Sequence, residues 1–163
     1  MVQEPYKTIL GRLVEVAKRE FGDDLVSIVL YGSVARGDNR PDSDVDLLLV
    51  VRNLPKDSIL KRIRLFEEKV EGKLGLEEYW SKGHYITLSP VLKTPEEAER
   101  LSPLYLDMVE DAVILYDKDN FFSNVLERLR KRLRELGAER VRMGKRWYWV
   151  LKKDYKFGEV IEL

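Results

Sequence analysis

Cysteine is absent from the 163 residues, and histidine occurs once, at His84. Without thiols the chain can form no disulfide, no thiolate metal site and no cysteine nucleophile. One imidazole cannot supply the ligands of a zinc centre. No run of about 18 apolar residues occurs, so neither a transmembrane helix nor a membrane partner is expected. Residues 1–20 intersperse charges with apolar side chains and lack a signal-peptide core, and the expected setting is cytoplasmic. Net charge is missing as well: Lys+Arg and Asp+Glu stand at 29 each, so total charge points neither to nucleic acid nor to an acidic partner. What the chain does have is 44% hydrophobic residues and 36% charged ones. That is enough apolar material for one compact domain with a true core. Dense mixed charge without cysteine is also a composition seen in heat-adapted proteins.

The apolar pattern alternates between helical and strand periods. Ile9, Leu13, Val16 and Ala17 recur at helical spacing, which predicts an amphipathic helix over residues 4–21. Leu25–Tyr31 and Val45–Val51 are short β-branched runs that read as buried strands. Pro55 opens a predicted long helix with Ile59, Ile63, Phe66 and Val70 on its inner face. Residues 72–83 read as a loop or a broken helix end, and residues 84–92 as a third strand. Thr94 with Pro95 marks a helix start, residues 104–109 continue helically, and residues 112–116 form a fourth strand. Phe122, Val125, Leu129, Leu133 and Leu136 then stripe a helix that ends at Gly137. The tail offers a strand around Val141, a turn at Gly144 and Lys145, and a strand through Trp147, Tyr148 and Trp149. Helices alternating with buried strands predict an α/β (α+β) domain with a mixed sheet.

One stretch carries chemistry. Gly32 and Ser33 sit at the end of an apolar strand, and Asp44-Val45-Asp46 opens the next. Residues two apart on a strand project from one face, so Asp44 and Asp46 can converge on a divalent cation while Val45 enters the core. Hard carboxylate oxygens suit Mg²⁺ or Mn²⁺, with nucleotide phosphates filling the other positions. Gly32 allows a triphosphate to approach the backbone, and Ser33 can donate to a phosphate oxygen. Val34-Ala35-Arg36 would start a helix there, and Arg36 is a further phosphate candidate that could equally pair with a neighbouring acid. Taken singly, a Gly-Ser is a turn and an Asp-rich loop is a solvated one. Their fixed spacing at two strand edges is what gives them weight.

Gly32-Ser33, ten residues, and then Asp44-x-Asp46 resembles the signature of the DNA polymerase β-like nucleotidyltransferase superfamily. The extended form, Gly32 to Gly37 followed by Ser43-Asp44-Val45-Asp46-Leu47, is similar to the minimal nucleotidyltransferases of prokaryotes. These are often paired with HEPN-domain proteins in toxin–antitoxin modules. The resemblance implies a nucleotidyltransferase fold over residues 1–118, with residues 119–163 as a helix and strand or hairpin packed on it. It implies transfer of a nucleoside monophosphate from an NTP, with ATP expected, to a protein or RNA hydroxyl. Asp44 and Asp46 would be catalytic metal ligands, and Gly32, Ser33 and Arg36 would hold the nucleotide. A HEPN-type protein, an RNA acceptor or a second copy of the chain is the implied partner. The family places a third carboxylate on the strand beside the D-x-D strand, yet residues 84–92 contain no Asp or Glu. Glu77, Glu78 and Asp107 are the substitutes to consider, each reading as a surface acid. That departure keeps a second function open: a catalytically weak nucleotide-binding module acting as an antitoxin-like partner of a HEPN protein.

Two features stand outside the motif. His84, at a strand start, reads as a half-exposed structural residue, with general-base chemistry as the lesser alternative. Between Arg128 and Lys156 basic residues are dense, with Trp147, Tyr148 and Trp149 among them. Trp147 and Trp149 share a face and are expected to fill core, while the charges form either a solvated face or an interaction surface.

Overall fold

Both faces of the first two strands are apolar, so helices must cover both sides of the sheet. The computed structural model describes residues 2–144 and 146–163; of the turn expected at Gly144 and Lys145, Lys145 lies outside the described residues. Helix α1 (Tyr6–Phe21) leads into β1 (Leu25–Tyr31), the short α2 (Gly32–Arg36) and β2 (Val45–Val51). Then come α3 (Ile59–Lys69), α4 (Leu76–Ser81), β3 (Leu88–Lys93) and α5 (Pro95–Glu99). A 3₁₀ turn at Pro103–Asp107 precedes β4 (Val113–Asp117), α6 (Phe121–Leu136) and the hairpin β5 (Glu139–Met143) and β6 (Arg146–Val150). No helix among the described residues is long and apolar enough to cross a membrane.

The main sheet runs β3-β2-β1-β4, with β2–β3 parallel and the other two pairs antiparallel, which is the mixed α/β architecture expected. Alternation along β2 sends Val45, Leu47 and Leu49 toward α1 and α3, where Ile9, Leu13 and Phe66 meet them. Leu48 and Val50 face the other way, onto Tyr105, Phe122 and Leu129 of the second layer. In β1 a register shift between Leu25 and Ser27 breaks this alternation. Ser27 is therefore buried as a polar residue, and its hydroxyl donates to Asp117 Oδ1 at 2.7 Å. Asp117 also accepts from the Phe122 and Ser123 amides, both at 2.9 Å, and so caps α6 from the end of β4.

Four expectations need correction. The third helix begins at Ile59 with Ser58 as its N-cap, not at Pro55, because the Ser58 hydroxyl accepts from the Lys61 amide. Ile59 is 76% exposed instead of lying on the inner face, and Arg62 takes the buried position. Its guanidinium donates to Pro55 O (2.6 Å), Leu92 O (3.1 Å) and Glu97 Oε1 (2.8 Å), so the helix face is closed by polar bonds. Residues 84–86 stay outside the sheet, Thr87 O accepts from the Val45 amide at 2.9 Å, and β3 starts only at Leu88; residues 76–81 are helical where a loop or broken helix end was expected.

Arg62 ties α3 to β3 and to the capping box that Thr94 and Glu97 form at α5. Burial works against the charge of Glu97, yet hydrogen bonds from Arg62 and Thr94 hold its carboxyl down to about 2. A carboxyl lowered from 4.5 stabilises the fold above that value and loses its contribution as pH falls toward 2. Arg62→Ala should therefore cost about 3 kcal/mol in urea unfolding at neutral pH, since three acceptors lose their donor. Glu97→Gln should flatten the acid limb of stability against pH.

Candidate active site

The antiparallel register places Tyr31 opposite Asp46, so the end of β1 lies against the start of β2. Because Val45 and Leu47 enter the α1–α3 layer, Asp46 takes the face that looks toward the second layer, and Asp44, just before the strand, is near enough for its charge to act on Asp46. Asp44 is exposed and Asp46 half-buried. The next residue after Tyr31 is Gly32, at φ 76°, a backbone state that side chains resist. A Cβ there would stand 2.3 Å from Asp46 Oδ2. Glycine is thus required twice, by its backbone and by its neighbour.

Ser33 begins one short turn of helix, which Gly37 closes by donating its amide to Ser33 O at 2.9 Å. With only five residues, α2 has little dipole to offer a phosphate. Among the described residues Ser33 Oγ has no hydrogen-bond partner, and neither do the Asp44 and Asp46 carboxylates; the nearby cation Arg36 donates instead to Asp38 at 3.2 Å. Burial pushes the Asp46 carboxyl up, helped by the Asp44 charge; Arg36 opposes this and Asp107 adds to it. Burial likewise pushes the Tyr31 phenol up to about 12, with Asp46 and Asp107 reinforcing it.

Asp107 is the residue that sequence reasoning passed over as a surface acid. It ends the 3₁₀ turn that Pro103 opens, a segment anchored by buried Tyr105, whose hydroxyl donates to Ala98 O at 2.8 Å. It lines the same cleft as Ser33 and Arg36. Only the packing of the second layer carries it there, and no local pattern near residue 107 signals it. Ser89 occupies the β3 position beside Asp46, as the missing acid in that strand foretold. Glu77 and Glu78 lie exposed on α4, and His84 is exposed before β3. No group of three or more His, Cys, Asp or Glu side chains that could hold a metal ion occurs among the described residues. Two carboxylates, those of Asp44 and Asp46, would leave most ligands of a divalent cation to come from elsewhere.

The C-terminal hairpin forms the other wall of the cleft. Trp147 was expected in the core, but its ring lies against two guanidiniums, those of Arg36 and Arg140, each 4.3 Å from the ring centroid. Trp149 meets the expectation better, packing partly buried against the layer that contains α6. Arg140 is in turn held by Glu110 and by Asp111, the latter at 2.8 Å.

Residues 10–131 match the family model described as a nucleotidyltransferase domain. A protein of Methanocaldococcus jannaschii, provisionally named a protein adenylyltransferase, is 35% identical over 149 residues, which is 90% of this chain and 96% of its own. A toxin–antitoxin crystal structure with AMP-PNP aligns at a TM-score of 0.45 and 14% identity, over 78% of this chain and 92% of that one. A structure from Sulfolobus solfataricus, provisionally assigned as a nucleotidyltransferase, aligns at 0.38 and 17%, over 72% and 91%.

Two glycine substitutions separate backbone strain from crowding. Gly137 also has positive φ, but a Cβ there meets nothing within 4 Å. Gly137→Ala should cost about 1 kcal/mol in urea unfolding and leave Mn²⁺ binding intact. Gly32→Ala should cost more, about 2–3 kcal/mol, and weaken Mn²⁺ binding because Asp46 must move. Proton relaxation enhancement by Mn²⁺ reads the second effect.

Proposed function

The chain belongs to the nucleotidyltransferase domain family, and from that premise we propose that it transfers a nucleoside monophosphate from an NTP to a hydroxyl group, releasing pyrophosphate. One observation carries the reading. Asp46, with Asp44 two residues before it, has no side-chain partner among the described residues, and it stands against a glycine whose missing Cβ makes room for its carboxylate. ATP as donor and a protein hydroxyl as acceptor are supported by the name of the Methanocaldococcus relative. An RNA hydroxyl is the other acceptor consistent with the chemistry.

In this reading Asp44 and Asp46 hold Mg²⁺ or Mn²⁺. Such a cation, when bound, neutralises phosphate charge and aligns the donor for in-line displacement. Gly32 lets the phosphates come close to the backbone, and the Ser33 hydroxyl donates to a phosphate oxygen. The acceptor oxygen bonds to the α-phosphorus as the bond to the α–β bridging oxygen breaks. Asp107, the acid outside the motif whose charge acts on Asp46, takes the acceptor's proton.

The Ser89 position favours a second reading, because no acid stands on β3 beside Asp46. There the chain binds Mg-NTP, turns it over poorly, and acts through contacts as an antitoxin-like partner of a HEPN protein.

Labelled ATP, Mg²⁺ and candidate acceptors, a HEPN protein and RNA among them, distinguish the two. Transfer of label is expected with the wild type, and Asp44→Asn/Asp46→Asn should reduce it at least about a hundredfold. Label transfer that survives in the double variant would overturn the metal pair. Retained Mg-ATP binding with no transfer to any acceptor would decide for the second reading.

A further inference from the structure

The cleft beside Ser33 has a volume of about 790 Å³ and is walled by Arg36 and Arg40 on one side and Arg142 and Arg146 of the hairpin on the other. Arg36 is spent on Asp38 and on the Trp147 ring. Arg40, Arg142 and Arg146 have no carboxylate partner among the described residues, although Arg130, Arg132 and Arg134 on α6 each have one. Arg142 makes one bond, from Nε to Gly144 O at 3.1 Å, which leaves both terminal nitrogens available. Guanidiniums gathered without carboxylate partners repel one another, and an anion bound among them relieves that cost.

The hairpin is held in this position by design of its own inner face. Arg142 pairs across the ladder with Trp147 and Arg140 with Trp149, so all four side chains point to the same side. The stack of Arg36, Trp147 and Arg140 then clamps that side to the turn that follows Ser33. The acids of the cleft do not cancel its charge. Asp38 is paired with Arg36, which leaves Asp107 as the one remaining acid of the lining against Arg40, Arg142 and Arg146.

We propose that the C-terminal hairpin completes the nucleotide site, with Arg142, Arg146 and Arg40 gripping the β- and γ-phosphates of the NTP. The proposal rests on the nucleotidyltransferase reading above and deepens it by assigning the leaving pyrophosphate its own subsite. A polyphosphate fits better than a nucleic-acid backbone for two reasons. The basic groups line a nucleotide-sized concavity next to the Ser33 hydroxyl, and the chain as a whole has no net positive charge to draw a long polyanion.

The test titrates the full chain with ATP, inorganic pyrophosphate, AMP and an RNA oligonucleotide by calorimetry, comparing wild type, Arg142→Ala/Arg146→Ala and Arg142→Lys/Arg146→Lys. The alanine variant should bind ATP and pyrophosphate roughly thirtyfold more weakly or worse, AMP within about twofold of wild type, and the lysine variant should recover part of the loss. Equal binding of ATP and pyrophosphate by the wild type and the alanine variant overturns the subsite while leaving the nucleotidyltransferase reading standing. A matching loss of AMP in both variants makes the arginines structural and overturns it too. Loss confined to an RNA oligonucleotide, with ATP unchanged, reassigns the cleft to an acceptor. Wild-type protein that binds neither ATP nor pyrophosphate removes the proposal and the reading beneath it together.

Discussion

The pairing of Tyr31 with Asp46 is the constraint on which the rest of the site depends. It sets the strand face of Asp46, brings Gly32 into contact with it, and fixes where the chain must turn to begin α2. A slip of one residue would turn Asp46 into the α1–α3 layer and push Val45 onto the cleft. The sheet resists that slip because it would drive the carboxylate of Asp46 into the apolar layer that Val45, Leu47 and Leu49 now fill. The core therefore pins the register, and the register aims the Asp46 carboxylate.

Electrostatics divide the molecule into satisfied and unsatisfied regions. Arg62, buried under α3, is fully engaged by two carbonyls and Glu97, and Asp117 is saturated by four donors from Ser27, Phe122 and Ser123. At the cleft the pattern reverses. Asp44 and Asp46 lack side-chain partners at the start of β2, and Arg40, Arg142 and Arg146 lack carboxylate partners along the cleft wall. Charge left without partners in this way is unfavourable for folding alone and favourable for a ligand that carries phosphates and a cation together.

The β-branched runs 25–31 and 45–51, the stripe of α6 and the Gly-Ser and D-x-D spacing were legible because each is local. The strand bounds and the face of Asp46 follow from period-two alternation alone. Asp107 was not legible, since its approach depends on how the 3₁₀ turn packs through Tyr105 against Phe122, 5.1 Å between ring centroids. Nor was Arg62, whose burial rests on carbonyls 7 and 30 residues away in the chain. Ile59 misled for the same reason: helical spacing marks a face, but Ser58 set the start of the helix and turned that residue outward. In the tail, alternation correctly put Trp147 and Trp149 on one side, and only packing revealed arginines stacked against the first of them.

Sequence distance along the cleft has a consequence for assembly. β1 and β2 are joined by the loop that carries the whole motif, so the pair can zip from near neighbours at low loop-closure cost. The β1–β4 pairing joins residues about ninety positions apart, as the Ser27–Asp117 bond does, and the hairpin docks from farther still. On a growing chain the strands that hold Asp46 are therefore complete before Arg142 and Arg146 are made. The two ends of the cleft mature at different times, and the docking of Trp147 between Arg36 and Arg140 marks the moment at which the cavity becomes whole.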